Sequence, residues 1–112
     1  MGIVCNCTDK YQVCIDECNR CAQACHECIK LCLNEPDVAA RKDHIAQMME
    51  CASICKEAAC LMSSDSKHVK AFCQLRATIC DECATSCSKF KDDHCKKCAT
   101  ECKKCADTCQ SM

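Results

Sequence analysis

The chain of 112 residues has one glycine, one proline, no tryptophan and 3% aromatic residues. So few turn-forming residues exclude a strand-rich fold or a disordered linker, and with 28% charged residues they describe long helices joined by short connections. Core formers are scarce as well. Ile, Leu, Val and Phe together number 16, about 14% of the chain, below the roughly 20% at which an ordinary apolar core becomes doubtful. An excess of one charge is also missing: 15 Lys and Arg stand against 16 Asp and Glu, which argues against nucleic acid or a membrane surface as partner. No run approaches the roughly 20 apolar residues of a membrane span. The opening Met-Gly-Ile-Val-Cys-Asn-Cys lacks the features of a secretory leader, and Asn6 breaks a myristoylation pattern. A cytosolic protein is expected, in conditions that keep thiols reduced and favour metal or redox chemistry over a disulfide scaffold.

What the chain has in abundance is cysteine, 20 residues, and most of them fall in a helical rhythm. Cys14, Cys18, Cys21, Cys25, Cys28 and Cys32 are separated by alternating steps of four and three. Such steps return to one face of a helix with 3.6 residues per turn, so the stripe that usually carries Leu and Ile carries thiols here. Cysteine therefore replaces the missing core volume, as a small hydrophobe or as a ligand set.

Four segments of similar length follow. Helices are expected over about 9–33, capped by Thr8 or Asp9; 37–62, with Pro36 suited to its first turn; 67–89, after the turn Ser63-Ser64-Asp65-Ser66; and 93–110. Connections this short join antiparallel neighbours. The fold class is all-α: a single domain forming an antiparallel, up-down-up-down four-helix bundle with a cysteine-lined core, preceded by an extension over 1–8.

The other helices repeat the stripe. Helix four carries Cys95, Cys98, Cys102, Cys105 and Cys109; helix three carries Cys73, Cys80, Cys83 and Cys87, with Arg76 or Ala77 filling one turn. Helix two has only Cys51 and Cys55 on a seam that runs back through Met48 to His44 and forward to Met62, with Cys60 off it. Thiol, thioether and imidazole are ligands that soft or borderline metals accept.

Helix geometry decides what these pairs can do. Side chains three or four apart have Cβ atoms about 5–6 Å apart, whereas a disulfide needs about 3.5–4.5 Å. Intrahelical disulfides would strain the helix, while a two-coordinate soft ion fits a Cys-x3-Cys pair. Seven such pairs exist, from Cys14 with Cys18 to Cys105 with Cys109. Structural zinc prefers isolated sets of four ligands, which a continuous wall of thiols is not expected to form, and iron–sulfur cluster spacing is absent. Cu(I), satisfied by two or three shared sulfurs, suits the wall best, with many ions per chain.

The chain resembles the cysteine-rich four-helix-bundle copper storage proteins, especially the cytosolic bacterial type. The resemblance runs from about Tyr11 to Met112 and rests on the Cys14–Cys28 segment, on Cys80-Asp-Glu-Cys83, and on His94-Cys95-Lys-Lys-Cys98 followed by Cys102, Cys105 and Cys109. It implies a core filled with many Cu(I) ions, a homotetramer of bundles, and His and Met residues near one mouth that handle entry and exit. Family members carry a denser row of cysteines on helix two, where this chain has His44 and Met48, so mixed ligation or lower loading is implied there. Cys5 and Cys7 lie outside the matched part.

Plainer roles compete at single residues. His94 is either a solvated cap or an entry ligand, and His44, opposite thiols, is read as a ligand. Met48 and Met62 are read as gap-filling core before ligands. His26 and His68 should be exposed, as should Lys96, Lys97, Lys103 and Lys104 on the outer face of helix four. Ile29, Leu31, Leu33, Ile54, Leu61, Phe72, Leu75 and Ile79 cannot all share the thiol seam; some must flank it or support subunit contacts. The sequence thus points to a cytosolic Cu(I) store, non-enzymatic for want of a nucleophile–base constellation, with a copper chaperone or chelator as partner. A thiol–disulfide redox protein, with Cys95 as its best-placed low-pKa thiol, and a zinc or cadmium thiolate buffer are the alternatives.

Overall fold

Each cysteine ladder occupies one α-helix in the computed structural model, which describes the backbone of residues 2–110 and the side chains of residues 2–108. The helices are α1 (Gln12–Leu33), α2 (Lys42–Ser63), α3 (Val69–Cys87) and α4 (Asp93–Gln110), with 3-10 turns at Asp9–Tyr11 and Val38–Arg41. They pack in a ring, α1 on α2, α2 on α3, α3 on α4 and α4 back on α1, in a body 47 × 23 × 17 Å.

Side-chain neighbours fix the directions. Cys32 at the end of α1 lies 3.8 Å from Cys95 at the start of α4, and mid-helix Cys21 reaches both Cys51 at 4.0 Å and Cys102 at 3.8 Å. His44 near the start of α2 meets Ser86 near the end of α3 at 2.8 Å. Every neighbouring pair is therefore antiparallel, as in the expected up-down-up-down bundle.

The interior has little ordinary hydrophobe in it. Among the described residues the buried apolar ones are 16 cysteines, 7 alanines, Met48, Met62, Ile15 and Val69. Small side chains at the seams let the helices approach closely, so thiols meet across the centre instead of being held apart by Leu-sized groups. Of the eight larger apolar residues in question, Ile29, Leu61, Phe72 and Ile79 pack on the rim of the core, Ile54 is half-buried, and Leu31, Leu33 and Leu75 are exposed.

Three local expectations need correction. Neither Thr8 nor Asp9 caps α1 through its side chain, because a 3-10 turn intervenes and Asp9 Oδ1 instead accepts the Gly2 N–H at 2.7 Å. Helix α2 starts at Lys42 instead of 37, and Pro36 sits in the turn before it. The cause is Arg41, whose Nε donates to Asp37 Oδ1 at 2.8 Å and whose Nη2 reaches Asp92 Oδ2 at 2.7 Å, holding 38–41 in a tight 3-10 turn. Helix α3 is two residues shorter at each end than expected, covering Val69–Cys87.

The α2–α3 connection ends α2 in a Schellman motif. Ser66 N–H donates to Leu61 O at 3.0 Å and Asp65 N–H to Met62 O at 3.2 Å, with Asp65 left-handed at φ 52°. Ser66 Oγ then accepts the His68 N–H at 3.1 Å and leads into α3. Because a β-branched residue is strongly disfavoured at positive φ, Asp65→Val is expected to lower unfolding stability by about 1–2 kcal/mol, whereas Asp65→Gly keeps the wild-type midpoint or raises it. Paired urea denaturation curves of the two variants check this.

Candidate metal centre

Sulfur contacts run across the bundle more than along its helices. Cys55 and Cys80 are 3.6 Å apart, Cys51 and Cys80 3.7 Å, Cys25 and Cys102 3.8 Å, and Cys25 and Cys98 4.0 Å. Cys55 and Cys105 are 4.0 Å apart. Among Cys-x3-Cys pairs only Cys28 with Cys32, at 4.0 Å, is within the same range among the described residues. A metal–sulfur bond of about 2.3 Å, the value for zinc, separates two sulfurs on one ion by about 3.8–4.6 Å for tetrahedral to linear angles. These sulfurs already stand near the spacing at which they share ions.

Three donor groups emerge, each with all ligand atoms within 4.8 Å of one another. Cys21, Cys55, Cys80 and Cys105 form one, and Cys21, Cys25, Cys51 and Cys102 the next. Sharing Cys21 makes them a continuous column. The third, Cys28, Cys32, Cys95 and His94, is a discrete four-ligand set at one end, where the expectation of an unbroken wall needs correction. Interdigitation of α1 with α4 closes it, since Cys95 inserts 3.8 Å from both Cys28 and Cys32.

His94 stands in that end group. Its Nδ1 lies 3.3 Å from Cys28 Sγ and 3.6 Å from Cys95 Sγ, while Nε2 faces Glu35 Oε1 at 3.3 Å. A carboxylate behind Nε2 favours a proton there and leaves the Nδ1 lone pair for a metal. Glu35, Asp92 and His94 make a further group of oxygen and nitrogen donors at the same mouth.

His44 is placed differently. It is buried, stacks on Phe90 with ring centroids 4.8 Å apart, and pairs Nδ1 with Ser86 Oγ, leaving Nε2 unpartnered. Burial lowers its pKa, so the imidazole is neutral, but it joins none of the donor groups. Met48 and Met62 are fully buried fillers of the same seam. Cys18, Cys73, Cys83, Cys87 and Cys98 line the core outside the compact groups. Cys14 is buried and disulfide-bonded, and the side chain of Cys109 lies outside the described residues. On the extension Cys5 and Cys7 form a disulfide, and Cys60 is an exposed free thiol. His26 and His68 are exposed, as are the four lysines of α4.

Two arginines complete the site, and sequence reasoning missed their role. Arg41 seals the mouth: Nη1 lies 3.5 Å from Cys32 Sγ and 3.7 Å from Cys95 Sγ, and the guanidinium covers the Phe90 ring at 4.6 Å. Arg76, fully buried towards the other end, sends Nη1 to Cys105 Sγ and to Cys80 Sγ, the latter at 3.6 Å, and Nη2 to Cys105 O at 3.0 Å. The signal was the seam itself. Arg41 stands three residues before His44, and Arg76 between Cys73 and Cys80 in steps of three and four.

Several core thiols are held towards the neutral form. Burial pushes the Cys95 thiol up to about 12, and burial also raises Cys73. A hydrogen bond donated to Cys98, then burial, raises Cys28. Cys21, Cys55, Cys83 and Cys98 shift down instead, because neighbouring thiols, led by Cys102 and for Cys55 by Cys105, donate to their sulfurs. The low-pKa nucleophile that a redox reading needs at Cys95 is therefore not there.

The fold and site together define a cysteine-lined bundle for soft metal, and comparison supplies the family. The copper storage protein family model matches residues 7–112, and the chain belongs to that family. The Cu(I)-bound copper storage protein BsCsp3, whose apo form is described from Bacillus subtilis, is 40% identical with a TM-score of 0.88, covering 91% of this chain and 96% of that one. A cytosolic copper storage protein from Streptomyces lividans, solved with five coppers, is 35% identical with a TM-score of 0.88, covering 93% of this chain and 92% of that one. The uncharacterized cysteine-rich protein YhjQ of Bacillus subtilis is 41% identical over 63 residues, 56% of this chain and 58% of that protein.

A thiol raised on folding stabilises the apo bundle fully below its unfolded value, and that contribution disappears as pH climbs towards the folded value. For Cys95 the window runs from 9.0 to about 12. The reduced apo protein is therefore expected to lose stability between pH 9 and about pH 12 in denaturant titrations, and the metal-loaded protein, already deprotonated at its ligands, to lose much less.

Proposed function

We propose that this protein stores Cu(I), many ions per chain, in the column of thiolates along its bundle axis. The observation that carries the reading is the overlap of donor groups drawn from all four helices, with sulfurs 3.6–4.0 Å apart and cysteine in place of an aliphatic core. The solved Streptomyces lividans relative carries five coppers in one structure and is loaded with 10 copper equivalents in another, which supports multiple loading here. That relative is described as cytosolic, and the same location is proposed.

Cu(I) enters at the mouth, where Nδ1 of His94 and the sulfurs of Cys28, Cys32 and Cys95 converge. It then passes to the thiols around Cys25, Cys102 and Cys21, where Cys102 stands 3.8 Å from both Cys25 and Cys21. Ligating thiols release their protons as they bind. Cys14, Cys18, Cys73, Cys83, Cys87, Cys98 and Cys109 extend the store once reduced, and His44 and Met48 supply one side with softer or neutral ligands. No turnover is assigned. Assembly to a homotetramer belongs to the same proposal, supported by the exposed Val13, Leu33 and Met49. Exchange with a copper chaperone or chelator completes it.

Titrating reduced apo protein with Cu(I) under a competing chelator is expected to give well above four ions per chain; saturation at one to four would remove the storage reading. Since each ligand surrenders a proton, affinity should fall as pH drops from 8 to 6, and a pH-independent isotherm would contradict thiolate ligation. Zn(II) added in equal amount should not displace the bound Cu(I).

A further inference from the structure

We infer that Arg76 is an internal counterion of the store: it stabilises the negative charge that copper–thiolate coordination builds at Cys21, Cys55, Cys80 and Cys105, and so makes that group the first to fill. The inference rests on the storage reading above. Arg76 is fully buried, yet among the described residues no carboxylate pairs with it. Arg41 offers the contrast, with Asp37 and Asp92 both on its guanidinium. Sulfur and one carbonyl are what Arg76 has: Cys105 Sγ, Cys80 Sγ at 3.6 Å, and Cys105 O at 3.0 Å, with its Nε unpartnered. A buried cation without an anion is costly, so the geometry is complete only when anionic sulfur faces it.

Copper coordination provides that anion. Each thiol that ligates loses its S–H proton to solvent and donates a sulfur lone pair, so one Cu(I) bound by two thiolates carries −1 and by three carries −2. Two of the four ligands of the group touch the guanidinium. In a dry interior such a fixed charge acts strongly over a few ångströms. At the mouth the equivalent charge of Arg41 is already neutralised, and the imidazole of His94 replaces one sulfur. Electrostatics therefore ranks the Arg76 end above the entrance, and an ion taken in at the mouth is drawn through to the far group.

Reduced apo protein, Arg76→Met and Arg76→Lys are each titrated with Cu(I) against a chromogenic Cu(I) chelator, and the affinity for the first equivalent is compared. Arg76→Met keeps much of the volume but not the charge, and is expected to weaken the first equivalent by about tenfold or more, with Arg76→Lys recovering most of that loss. An unchanged first equivalent in helical, soluble Arg76→Met overturns the proposal, as does an Arg76→Lys protein no better than Arg76→Met. Should Arg76→Met not fold, Cys80→Ser and Cys28→Ser decide instead. The larger loss of first-equivalent affinity is expected in Cys80→Ser, and an equal or larger loss in Cys28→Ser overturns the ranking. Total capacity of the unaltered chain, read in the same titration, judges the storage reading separately.

Discussion

The structure depends on sulfur packed against sulfur across antiparallel helices. With only Ile15, Val69 and two methionines as larger buried apolar residues among the described residues, the bundle has no conventional core to fall back on. Thiols must act as that core in the absence of metal and as ligands in its presence. Neutral thiol is a small, polarisable hydrophobe and thiolate is a soft ligand, so one set of side chains serves both states without repacking. Alanine completes the scheme. Ala22, Ala52, Ala58 and Ala106 are among the residues that let backbones approach closely enough for cysteines three and four apart to meet the next helix.

The two ends of the column solve the charge problem differently. At the mouth Arg41 is stacked on Phe90 and held by two carboxylates, so it seals the end with little net field, and His94 beside it offers a ring nitrogen. His44 stacks on the same Phe90 ring, giving this end an aromatic collar that the far end lacks among the described residues. Towards the far end stands Arg76 with its charge directed only at sulfur and a backbone carbonyl. A column with a compensated cation at its entrance and an uncompensated one deep inside is polarised along its length.

Periodicity made the four helices and their inner faces readable, because steps of three and four place Cys14 to Cys32 and Cys95 to Cys105 on one stripe each. It specifies an angle around one helix axis, and says nothing of how neighbouring helices are rotated or offset. Hence the Cys-x3-Cys pairs looked like the natural partners, whereas Cys55 meets Cys80 and Cys25 meets Cys102. The same gap left His94 undecided and His44 read as a ligand: both border the mouth, but only the register of α4 against α1 brings His94 onto Cys28. The late start of α2 is a tertiary effect, set by Asp92 from a distant segment acting on Arg41. Arg41 and Arg76 were within reach, since both stand at seam positions, but a charged residue there reads as an interruption until its partners are seen to be sulfur.

The geometric case against disulfides also changes character. Along a helix the spacing forbids them, yet between helices sulfurs at 3.6–4.0 Å need only approach by about 1.6–2.0 Å to reach the bonded separation of about 2.05 Å. Strain alone therefore does not keep this core reduced. Thiol–disulfide exchange and oxidation proceed through thiolate, and burial that holds Cys95 and Cys73 protonated removes the reactive form where metal is absent. Where metal is present the sulfur lone pairs are engaged by the ion. Outside the core neither protection applies: Cys5 and Cys7 on the extension are joined, and Cys60 stands in solvent. Burial thus keeps most of these thiols available as ligands, with Cys14 the exception, joined although it is buried.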